Sequence, residues 1–476
     1  MTIGMLQDLA NLAQDVLEKG YVIVDKYTEE SVPFEKINLH HLNDHFVKPL
    51  TKELNCSFAE LVTTPEQSVK PPVYFVSHCW QTPLVNTIEM LKLHRKNLTL
   101  VGITLESKDD YVVWICAFCN CQHGLDGEGL ASSDYKMTPF ARALRSEHCR
   151  GTVMLLNEPG SLSPLTRSWC IFETFLSVTL CPEEKEQGHR MDVATIIPKG
   201  RCKIKDPIGI EDKIGNDRCA AVVYNCIEKD KGTNESAAHS IKMTTGWFGA
   251  WFPVEIAKQG LAVNVMKADA SKVIDRENIC RWVGEKEKEV NLALRKRFLP
   301  IALKAVCEEP NLELLHEFVE KHTSFISKPA LVDMIHSMDL VFDLICSDND
   351  KAAAPCLRYL LQLGCDANRP QSDVPEFGYP LGVAVYRKMY DCCRQLQEAG
   401  ADPKNLTLYF LSMGACRKLP DDIEAFLRQG DACKMTFSRY CCPLAFCVGL
   451  FQLCCCCCVF VTTGVLEDRD PRRIQI

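Results

Sequence analysis

Residues 71 to 200 alternate apolar segments of strand length with segments of helical pattern. The strand-like segments are "VYFVSH", "LTLVGITL", "YVVWICAF", "GTVMLL" and "DVATII", and helical stretches such as "PLVNTIEMLKLHRKN" and "WCIFETFLSVTL" lie between them. A strand that is apolar along its whole length is buried on both faces, which is the situation in a parallel sheet covered by helices. The sequence therefore predicts an α/β domain built on a parallel sheet, with "VYFVSH" as an interior strand.

The pattern changes on both sides of this domain. The first helical segment is amphipathic, and the polar stretch "TTPEQSVKPP" suits a boundary near residue 70. After about residue 291 the strand signals stop and helical segments take over. Four parts are predicted: a helical N-terminal segment 1–70, the α/β domain with an extension 71–290, helical repeats 291–437 and a cysteine-rich apolar tail 438–476.

Charge and cysteine content limit the partners and the compartment. The 54 basic and 62 acidic side chains are spread without long blocks of one sign and the net charge is −8, so no nucleic-acid partner is expected. The chain has 28 cysteines, and its first segment carries Asp8 and Asp15 instead of a basic leader. These features favour a cytoplasmic protein with free thiols over a disulfide-bonded secreted one.

Polar and aromatic residues follow two of the predicted strands, and a third group lies at a predicted helix start in "PLTRSWCIFETF". In an open parallel sheet ligands bind at the carboxyl ends of the strands, so these side chains are candidates for one cleft. We expect His78, His123 and Glu173 to approach it. The second of these strands is predicted to run from Trp114 to Phe118. The candidate ligand-binding residues are Ser77, His78, Trp80, Gln122, His123, Arg167 and Trp169.

Three segments, "FVSHCW", "WICAFCNCQH" and "TRSWCIFE", occur in this order along the chain. They resemble the box motifs of a divergent family of Toll/interleukin-receptor-like (TIR-like) domains, which is common in protist proteins and related in pattern to fungal heterokaryon-incompatibility domains. The resemblance covers about residues 71–200. It implies a flavodoxin-like α/β fold.

The resemblance also implies a candidate activity. In NAD-cleaving TIR domains a catalytic glutamate lies four residues after the tryptophan of the third motif, and Glu173 has that position after Trp169. NAD would then be the substrate, with the carboxylate stabilising positive charge as the nicotinamide bond breaks. The chain departs from many relatives by having Cys116 or Ala117 where they carry an acidic residue, which argues against acid-dependent activity. A structural role for Glu173, at the helix dipole or beside Arg167, is the alternative.

The cysteines of "YVVWICAFCNCQH" raise the alternatives of a zinc site or a catalytic thiol. The candidate zinc ligands are Cys116, Cys119, Cys121 and His123. Strand alternation would place Cys116 on the opposite face from the other two thiols and no second ligand pair follows, so no metal site is predicted. A thiol hydrolase would need a thiolate with a histidine base close by. The candidates for that pair are Cys79 or Cys170 with His78 or His123.

Three segments after residue 350 end a helical pattern with glycine and follow it with aspartate: "YLLQLGCDANRP", "QLQEAGADPKN" and "AFLRQGDACK". Their glycines, Gly364, Gly400 and Gly430, are 36 and 30 residues apart, on either side of the roughly 33 residues of an ankyrin unit. "GYPLGVAV" resembles the ankyrin helix-opening motif, with Gly382 where the family usually has histidine. We expect an ankyrin-like array that binds a protein partner, with a generic helical solenoid as the alternative.

The tail contains "CCPLAFCVGLFQLCCCCCVFV", in which Gln452 is the only strongly polar residue. A helix of these 21 residues is just long enough to cross a bilayer, and the run of five cysteines is also a candidate for S-acylation (palmitoylation) at a membrane surface. A packed helix that covers the end of the repeats is the alternative. The lipid-attachment candidates are Cys454, Cys455, Cys456, Cys457 and Cys458.

These patterns predict a signalling or scaffold protein with a TIR-like α/β domain, an ankyrin-like protein-binding surface and a membrane-seeking tail. Self-association is a further candidate interaction. The expected location is the cytoplasm, with membrane association through the tail as a candidate. The alternative function is an NAD nucleosidase that uses Glu173 as its catalytic carboxylate.

Overall fold

A computed structural model describes most of the chain and divides it into two compact units, Met1–Ala302 and Leu303–Ile476. The described residues are 1–63, 70–96, 98, 103–105, 107, 110–123, 134–156, 164–180, 189–198, 218–223, 247–248, 252–270, 272–371 and 378–402. Half of the predicted strand "LTLVGITL", the repeat glycine Gly430 and the tail 438–476 with its five lipid-attachment candidates lie outside the described residues.

Six strands of the first unit form one sheet. They are β1 Tyr74–His78, β2 Val113–Trp114, β3 Gly151–Leu156, β4 Arg190–Pro198, β5 Arg218–Val223 and β6 Trp247–Phe248. Their order across the sheet is β2-β1-β3-β4-β5-β6. The first four strands in this order are parallel, and β5 and β6 extend the sheet with antiparallel pairs. The predicted parallel sheet is confirmed, and β1 is an interior strand between β2 and β3.

The helices of the first unit come before, between and after these strands along the chain. They are α1 Ile3–Glu18, α2 Leu39–Leu42, α3 Lys48–Thr51, α4 Phe58–Leu61, α5 Leu84–Lys96, α6 Cys116–Cys119, α7 Pro139–Arg145, α8 Ser168–Phe175, α9 Val254–Ala262, α10 Val273–Gly284 and α11 Glu287–Glu308, in which the boundary between the units falls. A π-helical turn, Asn43–Val47, joins α2 to α3.

The apolar runs explain why the central strands form where they do. Every residue of β1 and β3 is buried, as expected for strands covered on both faces. Helix α1 places Leu6 and Leu9 in the same hydrophobic cluster as Tyr74 and Val76 of β1. The N-terminal helix therefore packs on the same core as the parallel strands.

The predicted strand from Trp114 to Phe118 is wrong. Strand β2 ends at Trp114, and α6 begins two residues later at Cys116. The amides of Phe118 and Cys119 both donate to the carbonyl of Ile115, at 3.0 and 2.9 Å, which closes a helical turn. The strand alternation that was used to separate Cys116 from the later thiols therefore does not apply.

A buried polar network links α5 to β4. His94 Nε2 donates to Asp192 Oδ2 over 2.8 Å, and neither side chain is exposed. The other ring nitrogen of His94 lies 2.6 Å from the hydroxyl of Tyr111. Burial raises the pKa of Tyr111 well above its ordinary value, so this phenol keeps its proton. These bonds satisfy polar groups that would otherwise destabilise the core.

The second unit is helical throughout its described part. Its helices, after the end of α11, are α12 Leu312–His322, α13 Lys328–Ser337, α14 Leu340–Cys346, α15 Asp350–Leu363, α16 Pro380–Tyr386 and α17 Tyr390–Glu398. Two successive helix pairs, α14 with α15 and α16 with α17, pack against each other. Within the described residues of the chain, none of the helices is both long and apolar enough to cross a membrane.

Two of the predicted repeat glycines end helices in this unit. Gly364 follows α15 with φ 107° and Gly400 follows α17 with φ 84°, a left-handed conformation that favours glycine. Asn368 connects the two turns: its Nδ2 donates to the Gly400 carbonyl at 3.1 Å, and its Oδ1 accepts from the Asp402 amide at 2.6 Å. Pro380 occupies the first turn of α16, as predicted.

Candidate functional site

The carboxyl of Glu173 lies against the carboxyl-terminal half of β1. Ser77 Oγ donates a hydrogen bond to Glu173 Oε2 over 2.6 Å, and both side chains are buried. Ser77 comes from the penultimate position of β1, and α8 supplies Glu173. Two of the predicted site residues are therefore in direct contact, and the bonding partner of the carboxyl is Ser77 and not Arg167, which the structural alternative named.

Burial controls the charge of this carboxyl. It raises the pKa of Glu173 from 4.5 to about 8, although the hydrogen bond from Ser77 lowers it. The carboxyl therefore keeps its proton at neutral pH. A carboxylate that stabilises a developing cation has to be ionised, so Glu173 in this environment does not offer the negative charge that the resemblance implies.

Two thiols near Glu173 are also buried. Burial raises the pKa of Cys116 to about 12, and the charge of Glu173 adds to this effect. Burial and then Glu173 raise the pKa of Cys170 well above its ordinary value, and Cys170 Sγ donates to the His78 carbonyl at 3.4 Å. Because the thiolate is the nucleophilic form of cysteine, these environments do not support Cys170 as the nucleophile of a thiol hydrolase.

Trp80 and Gln122 meet at helix α6. Trp80 Nε1 donates to Cys116 Sγ at 3.1 Å. Gln122 Nε2 donates to the carbonyls of Cys116 and Asn120, at 3.0 and 3.1 Å. The helical turn that replaced the predicted strand is therefore the element that brings these two candidate residues together.

Two buried acceptor atoms in this region have no hydrogen-bond donor. His78 Nδ1 lies 3.3 Å from the Val76 carbonyl, which places the proton on Nδ1 and leaves Nε2 as an acceptor. Burial lowers the pKa of His78 to about 4, so the ring is neutral. Within the described part of the chain neither His78 Nε2 nor Gln122 Oε1 has a partner. Buried polar atoms without a partner are uncommon in folded proteins, so each of these two atoms has an unused capacity to accept a hydrogen bond.

The remaining predicted residues lie in other environments. His123 Nε2 bonds to Thr51 Oγ1 at 2.9 Å, so this ring is held by α3. Trp169 Nε1 donates to Asp275 Oδ2 at 3.0 Å, and its ring stacks on Phe140. The convergence of His78, His123 and Glu173 on one cleft stays a prediction, because no contact among the described residues joins His123 to the other two.

Arg167 directly precedes α8, and the backbone around it pairs with that of Asp269. Its two neighbours in the chain bond to the backbone of Asp269: Ser168 N donates to Asp269 O at 2.8 Å, and Thr166 O accepts from Asp269 N at 2.9 Å. The positive charge of Arg167 lowers the pKa of His40, after the larger lowering caused by burial. The charge of Arg167 therefore disfavours protonation of a histidine in the N-terminal segment.

The contribution of this N-terminal segment was not predicted from the sequence. The His40 ring packs on Trp80 with 5.3 Å between ring centroids, and the Leu39 amide donates to the Trp80 carbonyl at 3.0 Å. The signal in the sequence is "HHLNDH", with three histidines in six residues. A pocket of about 380 Å³ opens beside these histidines, lined by residues 24–27, 29, 40–41 and 44–45.

The possible metal ligands of the described residues do not cluster. Among the residues that the structure describes, no three histidine, cysteine, aspartate or glutamate side chains are placed to hold one metal ion.

Comparison with known proteins gives no relative. No protein-family model, curated protein or solved structure matches the chain. The TIR-like and ankyrin-like resemblances rest on the quoted residues.

Proposed function

We propose that the chain is a signalling or scaffold protein, with a TIR-like α/β module in its first unit and an ankyrin-like protein-binding array in its second. The observation that carries the proposal is that two successive helix pairs pack against each other. Asn368 bonds the turn that ends the first pair to the turn that ends the second. Repeated units of this kind expose a continuous surface of turns and helix faces, which suits them to protein binding.

Side-chain bonds between the two helix pairs support a repeat array. Asp350 Oδ2 and Oδ1 accept from the amides of Asp391 and Cys392 at 2.8 and 3.0 Å, which joins the start of α15 to the start of α17. Arg358 Nε donates to Gln395 Oε1 at 2.6 Å further along the same two helices. Equivalent positions of successive units are therefore bonded to each other, as expected when repeats stack in register.

The array offers an aromatic contact for a partner. Tyr386, the last residue of α16, is 41% exposed. Tyrosine is enriched at protein interfaces because it combines a large apolar ring with a hydroxyl. We therefore expect this end of α16 to contribute to the binding surface.

Proximity labelling with the full chain tests this proposal. The set of labelled neighbours is compared between the unaltered chain, Tyr386→Ser and the control Leu54→Ser, which removes an exposed apolar side chain of the first unit. Neighbours lost only in Tyr386→Ser, with unchanged thermal unfolding, support a partner on the array. An identical set for all three chains would contradict a binding role for this surface.

An NAD nucleosidase is the second candidate function. The observation in its favour is the position of Glu173, four residues after Trp169 and in contact with Ser77 at the carboxyl-terminal half of β1. Its burial and raised pKa count against activity in the conformation seen here. Such an enzyme would have to expose and ionise Glu173 when it binds NAD.

A further inference from the structure

The pocket of about 380 Å³ in the N-terminal segment has walls that hydrogen bonds fix in place. The Asn38 amide donates to His41 Nδ1 at 3.2 Å, so His41 carries its proton on Nε2 and donates it to Asp25 Oδ2 at 2.8 Å. His45 Nε2 donates to the Val24 carbonyl at 2.9 Å. The ring nitrogens that these bonds involve are therefore occupied by the protein and not open to a ligand.

His40 differs from its two neighbours. Its ring lies against Trp80 and forms no hydrogen bond with any described residue, although it lines the pocket. Burial and the charge of Arg167 lower the pKa of His40, which keeps the ring neutral at physiological pH. A neutral imidazole always has one nitrogen lone pair, so His40 brings an acceptor nitrogen to the lining of the pocket.

The charge of the pocket is negative. Three carboxylates, from Asp25, Glu29 and Asp44, line it together with one ammonium group, that of Lys26. Among the described residues, the ion pair of Asp44 is a long surface contact of 3.8 Å with Lys48, and the Asp44 side chain is 34% exposed. Such a contact contributes little, so the Asp44 carboxylate can accept another cation.

An aromatic ring completes the rim. Tyr27 lines the pocket and is 78% exposed. The face of an aromatic ring attracts cations, an effect of about 0.5–1 kcal/mol at exposed sites. A neutral acceptor and a carboxylate can both accept hydrogen bonds from a protonated amine, and the face of an aromatic ring attracts its charge.

We propose that this pocket binds a primary alkylammonium group, through the Asp44 carboxylate, the His40 ring nitrogen and the face of Tyr27. The group could be supplied by a free diamine or by a lysine side chain of a peptide, because both present the same ammonium on an alkyl chain. The site shares no residue with the Ser77 and Glu173 pair or with the helical array, so it is independent of the proposed function.

Calorimetric titration of the full chain tests the proposal with butane-1,4-diamine, with lysine capped at both ends, and with butane-1,4-diol as the uncharged analogue. Asp44→Asn removes the carboxylate charge at constant size. Asp8→Asn is the matched control, because Asp8 is exposed on α1 and does not line the pocket. Tyr27→Ala removes the ring, and Tyr27→Phe keeps it.

The expected result is saturable binding of an amine and none of the diol. Asp44→Asn should weaken binding at least tenfold and Tyr27→Ala about two- to fivefold, whereas Asp8→Asn and Tyr27→Phe leave it unchanged. The tighter of the two amines identifies the source of the ammonium group. Absence of saturable amine binding, or equal weakening by Asp44→Asn and Asp8→Asn, overturns the proposal.

Discussion

Ser77 Oγ donates to Glu173 Oε2 over 2.6 Å inside the first unit, and this bond ties strand β1 to helix α8. The residue that a TIR-like enzyme would use for chemistry is thus part of the packing between a strand and a helix. Both residues were singled out from the sequence as site residues. Their contact gives the buried carboxyl a hydrogen-bond donor, and no cationic side chain among the described residues bonds to it.

The first prediction concerns Glu173→Gln and pH. The folded pKa of about 8 lies above the ordinary 4.5, so the protonated carboxyl stabilises the fold most below about pH 4.5 and this contribution is lost as pH rises to about 8. Glutamine has no such loss. We expect similar stability of the two chains at pH 5 and a variant that is more stable at pH 8.5, by roughly 3–5 kcal/mol at most.

Denaturant unfolding at both pH values measures this effect. Glu53→Gln is the control, because Glu53 is exposed and should change stability little at either pH. A difference between Glu173→Gln and the unaltered chain that is the same at pH 5 and 8.5 would show that Glu173 does not titrate in this range.

The second prediction compares two buried hydroxyls. Ser77→Ala leaves the Glu173 carboxyl without its donor and should destabilise the first unit by about 1–3 kcal/mol. Thr87 Oγ1 is buried without a hydrogen-bond partner in the described part of the chain, so Thr87→Val should be neutral or stabilising. Urea midpoints of the two variants give the comparison. Equal losses would indicate that the Ser77 bond contributes nothing specific.

The third prediction concerns NAD. With Glu173 buried and protonated, we expect no nicotinamide release from NAD by the full chain at pH 7, measured by chromatography. The same assay at pH 9, with Glu173→Gln as the control, covers the range in which the carboxyl ionises. Release that rises between these pH values and disappears in Glu173→Gln would favour the nucleosidase instead.

The fourth prediction contrasts two glycines. Gly364 has φ 107°, so Gly364→Ala should destabilise the second unit by about 1–2 kcal/mol. Gly284 ends helix α10, and a Cβ added there meets no atom within 4 Å, so Gly284→Ala should stabilise by about 0.5–1 kcal/mol. Thermal unfolding of both variants shows the signs. A stabilising Gly364→Ala would contradict the left-handed turn.

The fifth prediction concerns the tail. If the run Cys454–Cys458 is acylated, replacing its five cysteines by serine should abolish hydroxylamine-sensitive acyl labelling and move the chain out of the membrane fraction. Serine at Cys441, Cys442 and Cys447 is the matched control and should leave the membrane fraction unchanged. An unaltered distribution for both variants would leave packing as the role of these cysteines.

The sequence predicted the parallel sheet because its strands are uniform apolar runs, and "GTVMLL" matches β3 residue for residue. The same property misassigned Cys116 to Phe118, since an apolar run does not distinguish a buried strand from a buried helical turn. Ser77 was found because it lies near the carboxyl end of a predicted strand, and Glu173 because it lies four residues after Trp169 in the motif that carries the resemblance. His40 was missed because it reaches Trp80 through a tertiary contact between distant segments.

Asn368 has a mechanical consequence. Its side chain bonds the turn after α15 to the turn after α17, so a force applied near residue 402 reaches the earlier turn directly and bypasses the helices between them. Two hydrogen bonds that share a force resist extension better than the same two bonds stretched one after the other. Under tension the two turns would then separate in one step, and Asn368→Ala would let the helix pairs peel apart one after the other.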